Sequence, residues 1–282
     1  MSCLSLLQRP LYRVGTVRSL SITSNHDGLE IDQREGLRII KLNRPKKLNA
    51  FNKSMYVGLR EELKLAASDS NTVITVVTGA GEYFSSGNDL NMFEKIPQTE
   101  DELREMAEES RDMLQKFVES FIQFPKPLVG VVNGPAIGIG GSILGLMDLV
   151  YASDRATFSF PFVRLGQGPE GCSSYTFPRL MGPAKAAELL YFGRKVDALE
   201  GEHLGLVTRV IPHQELENIW EELVEYSKLP KQSLLNCKEL IRGVQQETLA
   251  AVNRKECDLL LEQWASPETF KAVQNMFLKK KK

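Results

Sequence analysis

Histidine and cysteine are scarce in this chain. Three histidines and four cysteines occur in 282 residues. Cys3, Cys172, Cys237 and Cys257 are scattered; none forms a CxxC and none has a histidine at ligand spacing. That argues against a disulfide framework or a zinc site, and for a reducing compartment. His26 lies near the N-terminus, and His203 and His213 fall in segments that read as exposed connections between helices, so a histidine-based triad is not supported. Neither Ser142 nor Ser173 sits in a GxSxG elbow, because Leu144 and Tyr175 hold the final glycine positions. No GxxxxGK[ST] occurs, and the dinucleotide pattern begun by Gly138 and Gly140 fails at Ile143. No apolar run approaches the length of a membrane span. Charge of one sign is also missing: 35 Lys and Arg face 36 Asp and Glu. Such balance argues against nucleic acid as a bulk electrostatic partner, although a local cluster can still hold a phosphate.

What is present suits a globular domain able to bury a sizeable core, with 42% hydrophobic and 25% charged residues. Residues 1–24 differ from the rest. They carry Arg9, Arg13 and Arg18 with several Ser and Thr, and no acidic residue precedes Asp27. That is the composition of a mitochondrial transit peptide, and the mitochondrial matrix is the expected location. The C-terminal lysine run, Lys279 to Lys282, is not a Ser-Lys-Leu peroxisomal address.

Periodicity divides the remainder into a core over 25–220 and a helical region over 221–282. Strands are expected over 37–42, 72–78, 128–132, 149–152, 156–160 and 206–211, from runs of Val, Ile and Thr. Apolar spacing predicts helices over 54–67, 102–124, 142–147, 184–192, 214–228, 232–244 and 247–264. Pro125 and Pro127 stop the second of these. Strands separated by helices imply an α/β fold built from right-handed βαβ units.

Two stretches end strands and open helices while carrying few bulky polar side chains: residues 84–90 (FSSGNDL) and 133–142 (NGPAIGIGGS). Backbone N–H groups in such turns stay open to a ligand, and two converging on one point make an oxyanion hole. Glycines after strands also serve plain tight turns, so either loop alone leaves both readings open. Downstream, residues 167–171 (QGPEG) offer a carboxylate, Glu170, in an otherwise apolar setting. Taken alone, Glu170 beside Pro169 reads as a helix N-terminal carboxylate.

As a set, residues 42–50 (LNRPKKLNA), 84–90 and 133–142 resemble the crotonase superfamily of enoyl-CoA hydratases and isomerases, over roughly residue 29 to the end. The resemblance implies a crotonase-like ββα spiral core with a helical C-terminal trimerisation region. It matches the N–H of Asn88 and the N–H of Ile139 to the family's two oxyanion donors. Ser86, Gly87, Asp89 and Leu90 flank the first donor as substrate-binding positions, Asp89 reading as a residue that orders the turn. Lys46, Lys47, Leu48 and Ala50 match the segment lining the CoA groove; the lysines suit the CoA phosphates, although a solvated basic pair fits them equally.

The departures from the family pattern are as informative. Hydratases use two glutamates, whose positions hold Ser142 and Phe162 here, and Phe162 is expected to help exclude water. Residues 169–175 (PEGCSSY) resemble the isomerase-2 type of Δ3,Δ2-enoyl-CoA isomerase, lacking the acyl-CoA-binding domain that often precedes it. Glu170 matches the single catalytic glutamate of that type, and burial would raise its pKa and strengthen it as a base. The expected activity moves the double bond of a 3-enoyl-CoA to the 2-trans position during β-oxidation. No metal or other cofactor is expected, CoA being part of the substrate; the implied assembly is a homotrimer or hexamer. Alternatives are a dienoyl-CoA isomerase or weak hydratase on the same scaffold, and a non-catalytic acyl-CoA binder. The type is usually peroxisomal, which keeps the peroxisome as the alternative location.

Overall fold

The computed structural model describes residues 20–22, 26–89, 97–266 and 269. Strand β1 (Leu20–Ile22) pairs antiparallel with β2 (Leu29–Arg34), and β2 turns through Gly36 (φ 79°) into antiparallel β3 (Leu37–Leu42). Helix α1 (Lys53–Ser68) starts at Asn52, whose side chain accepts the Met55 N–H. Strand β4 (Ile74–Gly79) follows, then α2 (Glu100–Ile122), capped by Thr99 and opened by Glu100, Asp101 and Glu102, which suit the helix dipole.

Strands β5 (Leu128–Val132) and β6 (Ala136–Ile137) lead into a four-residue helix α3 (Ile139–Ser142). Next come β7 (Leu149–Ser153), β8 (Thr157–Ser159), α4 (Ser173–Met181), α5 (Pro183–Leu190) and β9 (Val196–Asp197). The described chain closes with α6 (Ala198–His203), β10 (Arg209–Ile211), α7 (Ile219–Ser227), α8 (Lys231–Arg242) and α9 (Gln246–Trp264).

Seven strands form one sheet in the order β1-β2-β3-β4-β5-β7-β10, parallel from β3 onward, and β6, β8 and β9 form a small second sheet. The central strands β3, β4, β5 and β7 of the main sheet are buried on both faces, which is why they read as nearly unbroken apolar runs. Ile40, Leu42, Val77 and Val132 enter the larger core with Leu59, Leu63, Phe117 and Phe121 of α1 and α2. Leu37, Ile39, Val76, Val129 and Val131 alternate with them and pack on Ile219, Trp220, Leu223 and Val224. The expected boundary at 220/221 thus falls inside α7, a helix packed on the sheet. Of the expected leader, Leu20–Ile22 alone are described.

Several elements depart from expectation for local reasons. The run 142–147 is a 3-10 turn over Ile143–Leu146 that continues α3, and its Gly145 sits where a Cβ would meet Thr176 Oγ1 at 2.5 Å. The expected helix 214–228 opens as a 3-10 segment over His213–Asn218 before α7, and the strand at 206–211 shortens to β10. Helices α4 and α6 were not legible: α4 contains Pro178, and α6 has six residues. His203 ends α6 exposed, whereas half-buried His213 meets Ser153 Oγ through Nδ1 at 3.0 Å.

Candidate active site

The 3-10 turn Pro45–Lys47 is followed by Leu48 and Asn49, both at φ 53°. Asparagine tolerates this left-handed conformation through local side-chain hydrogen bonds. Asn49 is wholly buried; its Oδ1 accepts the Arg44 N–H at 2.9 Å, and its Nδ2 donates to Ala80 O (2.9 Å) and Tyr83 O (2.7 Å). Lys46, Lys47 and Leu48 are left on the surface, and neither lysine has an ion-pair partner among the described residues. Ala50 is buried, and its carbonyl accepts Arg44 Nη1 at 2.7 Å.

The same Arg44 nitrogen donates to Asp89 Oδ2 at 2.7 Å. Asp89 is buried against the guanidinium, so it braces the loop, in keeping with its reading as a turn-ordering residue. Leu90, the last of the expected substrate-binding residues, lies outside the described residues.

The direction of the Asn88 N–H is set by a two-bond bridge. Phe51 N–H donates to Gly87 O and Asp89 N–H donates to Phe51 O, both at 2.8 Å. In such a parallel bridge the intervening residue, Asn88, points its own N–H to the opposite side. That N–H has no acceptor among the described residues. Ser86 N–H donates to Leu48 O at 2.9 Å, and Ser85 Oγ donates to Asn49 O while accepting the Gly87 N–H. The Asn88 side chain accepts a hydrogen bond from the Tyr56 hydroxyl.

The second loop lies against the first. Ile137 N–H donates to Ser85 O and Gly138 N–H to Ser159 O, both at 2.9 Å. Gly138 takes φ 55° and ψ −128°, a conformation that favours glycine, and this turns the Ile139 N–H out at the start of α3. A Cβ on Gly87 would lie 3.1 Å from Ile137 O and 3.9 Å from Gly138 Cα; one on Gly138 would lie 3.9 Å from Glu170 Oε1. Both donor loops and Glu170 therefore converge.

Glu170 is 2% exposed, and its Oε2 is buried without a partner. Burial is the main cause that raises its pKa to about 8; the Glu256 carboxylate adds to the rise, and the Ile139 N–H it faces opposes it. A cavity of about 20 Å³ is lined, among the described residues, by Tyr56, Asn88, Ser110, Met113, Leu114, Glu170 and Trp264. Glu170 and Asn88 thus line the same cavity.

At the two positions where the family resemblance places hydratase glutamates there is no carboxylate. Ser142 is wholly buried with its Oγ on Gly138 O, close beneath Gly171. Phe162 packs beside Phe160 in the core and does not line the cavity, so the expectation that it screens the site from water is not met directly.

The family model described as enoyl-CoA hydratase/isomerase matches residues 32–282. The chain belongs to the enoyl-CoA hydratase/isomerase family. It is 49% identical over 261 residues to human enoyl-CoA delta isomerase 2, covering 92% of this chain and 66% of that protein, just under two thirds of its length. To mouse enoyl-CoA delta isomerase 3, peroxisomal, it is 46% identical, covering 89% of this chain and 78% of the relative. The crystal structure of an enoyl-CoA hydratase/isomerase from Pseudoalteromonas atlantica T6c superposes with a TM-score of 0.81 at 33% identity, over 90% of this chain and 98% of that one. The crotonase-like α/β architecture expected from sequence is the one observed.

Around this candidate site, several supporting residues escaped the sequence. Arg44 and Tyr56 hold the loop of Asn88, and Glu256 bonds the turn that follows Glu170. A signal for Glu256 exists: with Leu249, Asn253 and Leu260 it follows the spacing of a buried helical face, so a charge there is out of place. Among the described residues no helix is long and apolar enough to cross a membrane.

Proposed function

We propose that this chain is a Δ3,Δ2-enoyl-CoA isomerase acting on 3-enoyl thioesters in the oxidation of unsaturated fatty acids. The observation that carries the reading is a buried carboxylate oxygen of Glu170 without a partner, in the same cavity as the Asn88 donor. A buried acceptor left unmade is costly, and a substrate C–H beside a carbonyl supplies it with a proton to take.

In this reading the thioester oxygen accepts from the Asn88 and Ile139 N–H groups. Ionised Glu170 removes a proton from C2, and the electron pair moves onto the thioester oxygen as a dienolate. Glu170 then returns the same proton to C4, and the C3=C4 bond becomes C2=C3. No atom is gained or lost, so a single acid suffices. Hydration would require a group to activate water, and Ser142 and Phe162 supply none. The names of the two isomerase relatives support the same chemistry. The chain's own residues perform each proton transfer in this scheme without a bound cofactor.

The exposed Lys46 and Lys47 are the residues offered to the CoA phosphates. Assembly as a trimer, or a hexamer of paired trimers, is supported by α8, which buries no residue and exposes Leu240 and Ile241, with Val244 exposed just after it. The N-terminal composition favours the mitochondrial matrix; the peroxisomal relative favours the alternative, and imaging of the full chain in cells decides between them. The activity is tested by mixing the protein with a 3-enoyl-CoA and following the conjugated 2-enoyl thioester. Binding without conversion would overturn the isomerase reading in favour of an acyl-CoA scaffold.

A further inference from the structure

The segment that carries Glu170 is under conformational tension. Gly171 (φ 68°) and Cys172 (φ 59°) both take left-handed backbone conformations, and Cys172 is a wholly buried non-glycine residue. Helix α4 starts directly after them with no local side-chain cap. Its first free N–H groups are met from 82 to 84 residues downstream: Glu256 Oε2 accepts the Cys172 N–H at 2.7 Å, and Oε1 accepts the Ser174 N–H at 3.0 Å. Glu170 is tied to the same turn, its carbonyl accepting Ser173 Oγ at 2.7 Å. Nearby, Gln263 Oε1 accepts the Gly168 N–H at 2.8 Å and Trp264 Nε1 donates to Gln167 Oε1 at 2.7 Å. Helix α9 therefore splints the base-bearing segment at both ends.

We propose that Glu256 is a positioning residue for Glu170: its carboxylate clamps the backbone at Cys172 and Ser174 and sets a negative charge behind the base. The proposal rests on the isomerase reading for its kinetic consequence, but not for its structural one. Glu256 is itself buried, and burial pushes its pKa up to about 7 against the opposing pull of the Ser174 and Cys172 N–H groups. Ionised Glu256 disfavours a second charge on Glu170, which makes Glu170 a stronger proton acceptor. The other groups facing Glu170 are the Tyr56 hydroxyl of α1 and the Cys257 thiol of α9, with Arg111 of α2 acting on Cys257. Both facing groups are themselves shifted upward by burial and stay neutral around pH 7. Glu256 is thus the charged neighbour that titrates in the working range.

Glu256→Gln keeps the shape and removes the charge and one of the two acceptors. The side-chain carboxyl of Glu170 is followed by carbon NMR against pH in both proteins, together with kcat and KM for a 3-enoyl-CoA. The Glu170 midpoint is expected to fall by on the order of one pH unit. The acid limb of kcat should move with it, and maximal kcat should drop roughly ten- to a hundredfold with KM nearly unchanged. An unmoved Glu170 midpoint, or a kcat profile that matches the wild type, overturns the proposal. Should the variant fail to fold, the wild-type titration decides: Glu170 must show a second inflection at the Glu256 midpoint, and a single-step curve overturns the coupling. Wild-type protein that does not isomerise refutes the functional reading alone, since the Glu170 titration is read without turnover.

Discussion

Arg44 and Asp89 form a buried ion pair, 2.7 Å between Nη1 and Oδ2, with side chains 17% and 9% exposed. The pair joins the segment of Lys46 and Lys47 to the loop of the Asn88 donor, because the same nitrogen also holds Ala50 O. Breaking such a pair leaves one charge buried alone, which costs about 3–5 kcal/mol when burial is complete and less here. Asp89→Ala should therefore lower stability by about 2–3 kcal/mol. Denaturant unfolding measures the loss, and kcat should fall as the Asn88 N–H loses its fixed direction.

Glu170→Gln should reduce kcat by about 10²–10⁴-fold while CoA thioester binding persists, which equilibrium binding and turnover together would show. Wild-type kcat/KM should rise with pH through about 8, because Glu170 must be ionised to accept the proton. Stability runs the other way. A carboxyl whose folded pKa lies above its unfolded value binds more protons when folded, so its contribution is intact below about 4.5 and is lost as pH climbs toward about 8. Glu170→Gln should accordingly raise Tm more at pH 9 than at pH 5, and scanning calorimetry at the two values checks the sign.

The second donor can be removed without touching a side chain of the reaction. Ile139 is the first residue of α3, where proline is tolerated, and Gly138 before it accepts the restriction proline imposes. Ile139→Pro deletes the N–H and should lower kcat by about 10²–10³-fold. A Tm measured alongside separates this from the lost packing of a buried side chain.

Lys46→Glu and Lys47→Glu should each raise KM by up to about fivefold, in keeping with exposed charge pairs. The effect should shrink with added salt, and kcat should stay unchanged. Equal KM values at low and high ionic strength would assign the lysines to a merely solvated surface.

The strands β3, β4 and β5 were legible to within two residues because burial on both faces leaves continuous apolar runs. Helices α1, α2 and α9 were equally plain from their spacing. The glycine loops and Glu170 stood out by composition. Tyr56 and Glu256 did not, since a tyrosine or a glutamate on a helix is ordinary until its neighbours are known.

The sequence by itself determined the α/β alternation, the two glycine loops and the absence of carboxylates at Ser142 and Phe162, all of which are local properties of the chain. Only the tertiary structure decided how far the proton affinity of Glu170 is raised and what holds its segment. Burial and the approach of α9 are properties of packing, and the carboxylate of Glu256 reaches Cys172 across 84 residues of chain. Local pattern can name the acid, but its proton affinity depends on which distant groups exclude water from it and which charge is folded against it.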